Sequence, residues 1–186
     1  MESGESDLIR RAVNGEAAAF DRLVDLHTGR LYRLVRRAAP DPAETEAFVQ
    51  EAWLRAWKNR QRCSPDRPFF PWLAAIAMNL ARDSWRKRRP MDFADVADSV
   101  ELVAAEDASI ELQVEASQAR ARLSRYVEEL RPEWRMAIAL RYDGGLEYTE
   151  IAEVLGVPLN TVRTHLRRAK GALRARWEED DAGSIG

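Results

Sequence analysis

Arginine and lysine side chains near the C-terminal end of the chain offer the clearest binding chemistry in this sequence. Basic residues recur through residues 159–176 with no acidic residue among them. Cations at this density neutralise the backbone phosphates of nucleic acids. The basic residues are Arg163, Arg167, Arg168, Lys170, Arg174 and Arg176. Between them, Val162, Leu166, Ala169 and Leu173 recur at helical spacing, which predicts an amphipathic helix.

A shorter helix is predicted just before the basic one, over residues 148–155, with Ile151 and Leu155 on its apolar face. Gly156 follows where a helix end favours a left-handed residue, and Pro158 prevents the first helix from continuing. Two helices joined in this way predict a helix-turn-helix whose second helix enters the major groove of DNA. The alternative is an amphipathic hairpin whose basic face is merely solvated. The turn residues together with the one-sided charge favour the first interpretation.

Other chemistries find little support. Cys63 is the one cysteine, which excludes an internal disulfide, and His27 and His165 are too far apart in sequence to suggest a metal site. We find no glycine-rich phosphate loop, nucleophile elbow or distinctive carboxylate pair. The sequence therefore predicts a protein that is not an enzyme and that needs neither a metal nor a cofactor. It has no signal-peptide pattern or apolar run long enough to span a bilayer, so we expect a cytoplasmic protein without membrane insertion.

Charge is segregated along the 186 residues, although the formal net charge is only −2. Residues 82–89 are strongly basic, residues 92–115 are rich in acids and contain neither lysine nor arginine, and residues 178–181 are acidic. Local patches therefore indicate nucleic-acid binding, which the net charge conceals.

Apolar residues recur at helical spacing over most of the chain, and no period-two pattern appears. The predicted helices cover residues 5–13, 17–39, 43–60, 70–89, 109–130, 133–142 and 148–155, and then the chain from residue 159. From residue 91 to about residue 110 the apolar periodicity fades and acidic residues become frequent. We predict an all-α protein of two small helical domains joined by a flexible acidic linker, with the helix-turn-helix in the second domain. The predicted boundaries are 1–90, linker 91–110, 111–178, and an acidic tail 179–186.

The fourth predicted helix combines aromatic side chains with a basic end. Aromatic rings stack on the bases of single-stranded DNA, contributing about 1–3 kcal/mol per base, while cations follow its backbone. We interpret Trp53, Trp57 and Trp72 as mainly core residues, and we expect Phe69 and Trp85 to be exposed.

Three segments resemble those of a known family. FVQEAWLRAW at residues 48–57 is similar to the polymerase-binding helix of bacterial RNA polymerase sigma factors. FPWLAAIAMN at residues 70–79, followed by Asp83 and the basic cluster, is similar to their promoter-melting segment. Residues 146–173 resemble their C-terminal helix-turn-helix. The short acidic linker, with no domain between, is typical of the extracytoplasmic-function (group IV) type.

This resemblance implies a factor that binds core RNA polymerase and directs promoter-specific initiation at −10 and −35 elements. The implied partners are the clamp helices of the largest polymerase subunit, promoter DNA and an anti-sigma protein. The implied polymerase-binding residues are Glu46, Gln50, Glu51 and Arg55. The implied −10 residues are Cys63, Ser64, Asp66, Arg67, Phe69, Trp72, Asn79, Arg82, Trp85, Arg86, Lys87, Arg88 and Arg89. The implied −35 residues are Asn160, Thr161, Arg163, Thr164, His165, Arg167, Arg168 and Lys170.

The chain departs from the family pattern at two positions. Ala47 stands where an acidic residue is usual, which would shift part of the polymerase contact to Glu46 and Glu51. Glu147 replaces the usual small hydroxyl residue before the first helix of the helix-turn-helix, which predicts a weaker cap. Two other functions stay open at this level: a stand-alone helix-turn-helix regulator and an RNA-binding helical protein.

Overall fold

The computed structural model describes residues 3–88 and 110–183, so the predicted linker lies almost entirely outside the described residues. Within these two ranges the chain is helical and contains no strand, which confirms the all-α prediction. The helices of the first range are α1 (Ser3–Val13), α2 (Ala17–Ala38), α3 (Thr45–Lys58) and α4 (Phe69–Arg88). Those of the second are α5 (Ile110–Glu129), α6 (Pro132–Ile138), α7 (Tyr148–Leu155) and α8 (Leu159–Gly183).

Helix α2 is the centre of the N-terminal domain and packs against α1, α3 and α4. Its buried face carries Leu23, Leu31 and Leu34, each fully removed from solvent. Burial of one such side chain stabilises the fold by about 1.5–3 kcal/mol. The helix ends at Ala38, just before a segment in which two prolines disfavour helix. A single 3-10 turn then leads into α3.

Aromatic side chains fill the space between α2, α3 and α4. The rings of Phe20 and Trp53 meet edge to face, with centroids 5.7 Å apart. Trp53 is buried, as predicted, and Trp57 and Trp72 are half-buried against the core. The predicted exposure of Phe69 is wrong, because its ring lies 5.4 Å from the His27 ring and 6.0 Å from Trp53 and is only 2% exposed.

The C-terminal domain differs from its predicted outline in two places. The helix predicted over residues 133–142 ends as α6 at Ile138 and continues as a π-helical turn, Ala139–Asp143. The predicted acidic tail begins as helix, because α8 extends to Gly183. There Asp181 accepts a 2.8 Å hydrogen bond from Arg122 of α5, and Asp180 accepts one from the Tyr126 hydroxyl.

A buried arginine of α6 joins the two domains. Arg135 is 2% exposed, and it donates hydrogen bonds to the carbonyl oxygens of Ala39 (2.6 Å) and Arg37 at the C-terminal end of α2. These carbonyls have no partner within their own helix, and a cation is favoured at the negative end of the helix dipole. Arg37 in turn forms an ion pair with Asp143. The domains therefore contact each other through buried, satisfied polar groups.

Candidate nucleic-acid and polymerase interfaces

The helix-turn-helix is formed by α7 and α8. Gly156 adopts a left-handed conformation with φ of 66°, as predicted. The Val157 N–H donates to Ala152 O (3.1 Å) and the Gly156 N–H donates to Glu153 O (3.3 Å), the two bonds of a Schellman motif. At the other end of α7, the Glu150 carboxylate accepts a 2.8 Å hydrogen bond from the Glu147 N–H. The N-terminus of α7 therefore has a capping interaction in spite of the unusual Glu147.

Helix α8 separates its apolar stripe from its basic face. Val162, Leu166, Ala169 and Leu173 are buried, as predicted. Of the residues proposed to read the −35 element, the exposed ones are Asn160, Arg163, Arg167 and Arg168, and the half-buried ones are Thr161, Thr164, His165 and Lys170. Asn160 Oδ1 accepts a hydrogen bond from Arg163 (3.0 Å), which holds the two side chains beside each other near the start of the helix. The polar face presents planar guanidinium donors, which suit base edges and phosphates.

Two of these half-buried residues contact their own domain. Burial lowers the pKa of His165, while Glu133 of α6 raises it more weakly and Arg168 lowers it further. His165 is therefore a neutral donor or acceptor near pH 7. The Lys170 ammonium lies 5.7 Å from the centre of the Tyr142 ring, within the range of a cation–π interaction.

Helix α4 carries the second set of cations. Asn79 is exposed near the middle of the helix, and its Oδ1 accepts a 3.2 Å hydrogen bond from Arg82. Arg86, Lys87 and Arg88 are exposed in the last turn, whereas Arg89 lies outside the described residues. Some of this charge is already paired, because Arg88 contacts Glu44 at 2.9 Å.

The loop before α4 is less accessible than predicted. Cys63 is buried, and burial with a smaller effect of Glu5 raises the pKa of its thiol to about 11. Ser64 is half-buried, whereas Asp66 and Arg67 are exposed. Direct DNA contact by Cys63 or by the buried Phe69 therefore conflicts with the structure, because packing against the domain core covers both side chains.

Trp85 also differs from its prediction. It is half-buried, its Nε1 donates a 3.0 Å hydrogen bond to Ala38 O, and the Arg135 guanidinium lies 5.6 Å from its ring. Trp85 therefore joins α4 to the end of α2. Trp72 is also half-buried, with its ring centre 5.5 Å from that of Phe69.

Helix α3 presents the residues expected to bind polymerase. Val49, Ala52 and Trp53 point inward, whereas Glu46, Gln50 and Arg55 are exposed. Glu51 is half-buried and forms a 2.6 Å ion pair with Arg55 one turn later. The solvent-facing side of α3 therefore carries a group of polar side chains.

An apolar groove that was not predicted from the sequence lies beside these polar residues. Leu54 is 54% exposed and borders a groove between α2 and α3. The rest of the apolar lining is formed by Ala17, Phe20, Val24, Trp53 and Trp57. An apolar residue among the polar positions of α3 was the available signal. Large exposed apolar side chains beside a groove are typical of a protein-binding surface.

The two halves of the chain match two known families. The Sigma-70 region 2 family matches residues 23–90, and the Sigma-70 region 4 family matches residues 119–173. The ECF RNA polymerase sigma factor SigW of Bacillus subtilis is 32% identical over 178 residues, which cover 89% of this chain and 92% of that protein. The chain belongs to the ECF sigma factors of RNA polymerase.

Other relatives agree with this assignment. The ECF RNA polymerase sigma-E factor of Escherichia coli K12 is 32% identical over 173 residues, covering 89% of this chain and 90% of that protein. A solved structure of CnrH in complex with the cytosolic domain of CnrY aligns with a TM-score of 0.65 and 25% identity, covering 97% of this chain and 99% of that one. This sigma factor directs transcription initiation by RNA polymerase.

The described residues form neither a membrane-spanning helix nor a cluster of metal ligands. None of their helices is long and apolar enough to cross a membrane. In residues 3–88 and 110–183, no three histidine, cysteine or acidic side chains come together as a possible metal site.

Proposed function

We propose that this sigma factor uses three separate surfaces: α3 for core polymerase, α4 for the melted −10 strand and α8 for the −35 duplex. The observation that carries this proposal is that each helix has its own exposed polar side chains: Gln50 and Arg55 on α3, Asn79, Arg86 and Lys87 on α4, and Asn160, Arg163 and Arg167 on α8. On each helix these side chains face away from the buried apolar residues. They are therefore available to bind a partner without disturbing the core of their own domain. The factor would act in the cytoplasm, where RNA polymerase works.

The polymerase contact combines an apolar centre with a polar rim. The groove beside Leu54 would receive apolar side chains of the clamp helices, and Gln50, Glu51 and Arg55 would form the surrounding hydrogen bonds and ion pairs. Protein interfaces commonly have this arrangement, with charged residues excluded from the centre.

Charge reversal at Glu51 tests this contact. Glu51→Lys places a like charge one turn from Arg55, which weakens the helix by only about 0.2–0.5 kcal/mol. We expect normal helicity by circular dichroism and at least about tenfold weaker binding to core polymerase, since like charges at an interface are strongly unfavourable. Glu178→Lys, an equally large charge change at an exposed position of α8, is the matched control. Equal affinities for core polymerase in the two variants would count against α3 as the contact.

The two DNA surfaces are separable by substitution. Arg163→Ala or Arg167→Ala should weaken binding to −35 duplex by about 1–3 kcal/mol if a base edge is contacted. Run-off transcription with core polymerase on genomic fragments would first supply the promoters. Duplex affinity unchanged by either substitution would remove α8 from the −35 contact.

We also propose an anti-sigma protein as a partner. The solved structures of CnrH and of the Bartonella quintana factor RpoE, which is 22% identical, are complexes with CnrY and with the anti-sigma factor NepR. In this chain, Leu54 and the α3 groove leave apolar surface exposed, which favours a partner that covers it. The acidic end of α8 is a poorer inhibitor, since Asp180 and Asp181 already pair with α5. Purified factor should therefore activate core polymerase without removal of this acidic end, and inactivity until that removal would refute a separate inhibitor.

A further inference from the structure

The two domains contact each other over two areas, and a cavity lies beside the second of them. Helix α4 packs against α7, and α2 packs against α6 and the π-helical turn that follows α6. The cavity has a volume of about 210 Å³ and is lined by residues of both domains. Its charged lining consists of four arginines and two acidic residues: Arg33, Arg36, Arg37 and Arg135, with Glu128 and Asp143.

Positive charge is in excess around this cavity. Four arginines and two acidic residues leave a formal charge of +2 on its lining. Arg37 and Asp143 already form an ion pair with each other. Glu128 is exposed, so solvent screens its carboxylate. The excess is therefore carried by the other three arginines, Arg33, Arg36 and Arg135.

Arg135 contributes a buried charge without a counter-ion. The residue is 2% exposed, and its hydrogen bonds end on the backbone carbonyl oxygens of Arg37, Ala39 and Glu128. Carbonyl groups satisfy its N–H donors but carry no net charge, whereas charges in protein interiors are usually paired. No carboxylate in residues 3–88 or 110–183 forms an ion pair with Arg135. Burial lowers its pKa, Glu128 raises it, and Arg37 lowers it further. An anion in the cavity would compensate this charge.

Arg33 and Arg36 supply free hydrogen-bond donors at the same cavity. Both are exposed, and neither forms a hydrogen bond or an ion pair with another described residue. They are three positions apart on α2, so their side chains lie on the same side of the helix. Ser124 of α5 also lines the cavity, and its hydroxyl can donate one more hydrogen bond from the second domain.

These donors suit a phosphate group. Arginine presents a planar set of N–H groups that binds phosphate oxygens in pairs. A formal charge of +2 matches a dianion, whereas a single carboxylate would compensate only half of it. The volume lies below the roughly 300–1,000 Å³ that is typical of pockets for drug-sized ligands. The cavity therefore has room for an anionic group rather than for a complete large ligand.

We propose that this cavity binds the phosphate or diphosphate group of a small molecule, with Arg33, Arg36 and Ser124 as the contacting residues. A nucleotide and a free inorganic phosphate share this chemistry. Arg135 attracts the anion through its charge and keeps its own hydrogen bonds to the carbonyl oxygens. Because the contacting residues belong to both domains, the bound anion stabilises the arrangement in which α2 and α5 line one cavity.

Isothermal titration calorimetry on the full chain tests the site with three probes: inorganic phosphate, pyrophosphate and adenosine diphosphate. Low ionic strength keeps the screening of charges weak. Arg33→Gln and Arg36→Gln should each weaken pyrophosphate binding roughly tenfold, because each removes a charge-assisted hydrogen bond. Arg125→Gln is the matched control, since it removes the same charge from an exposed position of α5 that does not line the cavity. Its affinity for pyrophosphate should equal that of the unchanged chain.

Two substitutions in the second domain should act in opposite directions. Ser124→Glu places a carboxylate among the arginines and should abolish binding of all three probes. Glu128→Gln removes a competing negative charge and should tighten pyrophosphate binding about threefold. A gain of affinity cannot come from damage to the fold, so Glu128→Gln separates a specific site from a loss of structure.

Comparison of the probes identifies the source of the phosphate group. Tighter binding of adenosine diphosphate than of pyrophosphate supports a nucleotide, and the reverse order supports an inorganic ligand. Equal affinities for these two probes support recognition of the diphosphate group alone.

Several results would overturn the site. One is the absence of saturable binding of all three probes at about 1 mM, the concentration that detects weak affinities. Another is a loss of affinity in Arg125→Gln as large as that in Arg36→Gln, or an unchanged affinity in Ser124→Glu. Binding of a mixed-sequence DNA duplex that depends on Arg36, without binding of any probe, would assign these arginines to nucleic acid instead. If Arg36→Gln loses helicity by circular dichroism, Arg33→Gln provides the same comparison.

Discussion

The turn between α7 and α8 allows a quantitative test of how this helix-turn-helix is held. Gly156 has a φ of 66°, and a Cβ added there would meet no atom within 4 Å. Gly156→Ala therefore introduces backbone strain without a steric clash. The left-handed conformation costs an L-residue about 1–2 kcal/mol. Alanine also lowers the conformational entropy of the unfolded chain, which offsets about 0.4–1 kcal/mol of this cost. The expected loss of stability is about 1 kcal/mol.

Gly144 provides the contrasting case. Its φ is −83°, so alanine meets no backbone strain there, but an added Cβ would lie 2.7 Å from the carbonyl oxygen of Leu140. The neighbouring atom belongs to the backbone and cannot rotate away. We expect Gly144→Ala to lose about 1–3 kcal/mol, more than Gly156→Ala. Gly156→Asn should be the mildest of the three, because asparagine tolerates the left-handed region.

Urea denaturation followed by circular dichroism ranks the stabilities of the three variants. The melting temperature of Gly156→Ala should be about 2–4 °C below that of the unchanged chain. Duplex binding at 25 °C should stay within twofold, since the folded turn is strained but not displaced. The reasoning is refuted if Gly156→Ala matches or exceeds the stability of the unchanged chain, or if Gly144→Ala loses less than Gly156→Ala.

Further outcomes are expected elsewhere. Asn79→Ala should keep duplex binding but impair promoter opening with core polymerase, and normal permanganate reactivity of the melted region would contradict this. Arg168→Ala should reduce the slope of log affinity against log salt by about 0.9 if it contacts one phosphate, and an unchanged slope would exclude that contact. Burial lowers the pKa of His27, so its imidazole binds a proton more readily in the unfolded chain than in the folded one. The stability of the folded protein therefore falls as the pH drops below about 6.5. His27→Gln should weaken that dependence in urea titrations at pH 7.5 and 5.5. The thiol of Cys63, buried and with a pKa raised to about 11, should react with Ellman's reagent only after denaturation, and rapid reaction in the native protein would contradict its burial.

Local patterns in the sequence predicted the helices and the turn because their causes are local. The spacing of Val162, Leu166 and Leu173 indicates which face of α8 is buried, and Gly156 with Pro158 indicates where α7 ends. The basic face of α8 and the outward position of Gln50 follow from the same periodicity.

The burial of Phe69 and Arg135 could not be predicted in this way. Phe69 begins a helix, so periodicity constrains it weakly, and the rings of His27 and Trp53 that cover it are distant in sequence. Arg135 follows Trp134 and precedes Met136, and its partners are the carbonyls of Arg37 and Ala39 in the other domain. Nothing local to Arg135 distinguishes it from a solvated arginine.

The contact between α4 and α7 also sets a threshold for competing molecules. Both helices belong to one chain, so each domain is present around the other at an effective concentration of about mM, the value typical of short tethers. A contact too weak to hold two separate proteins together is sufficient under these conditions. A molecule that binds where α7 contacts α4 must therefore compete with a neighbour whose local concentration does not change when the protein is diluted. The strength of this contact between the domains is therefore independent of how much of the factor a cell contains.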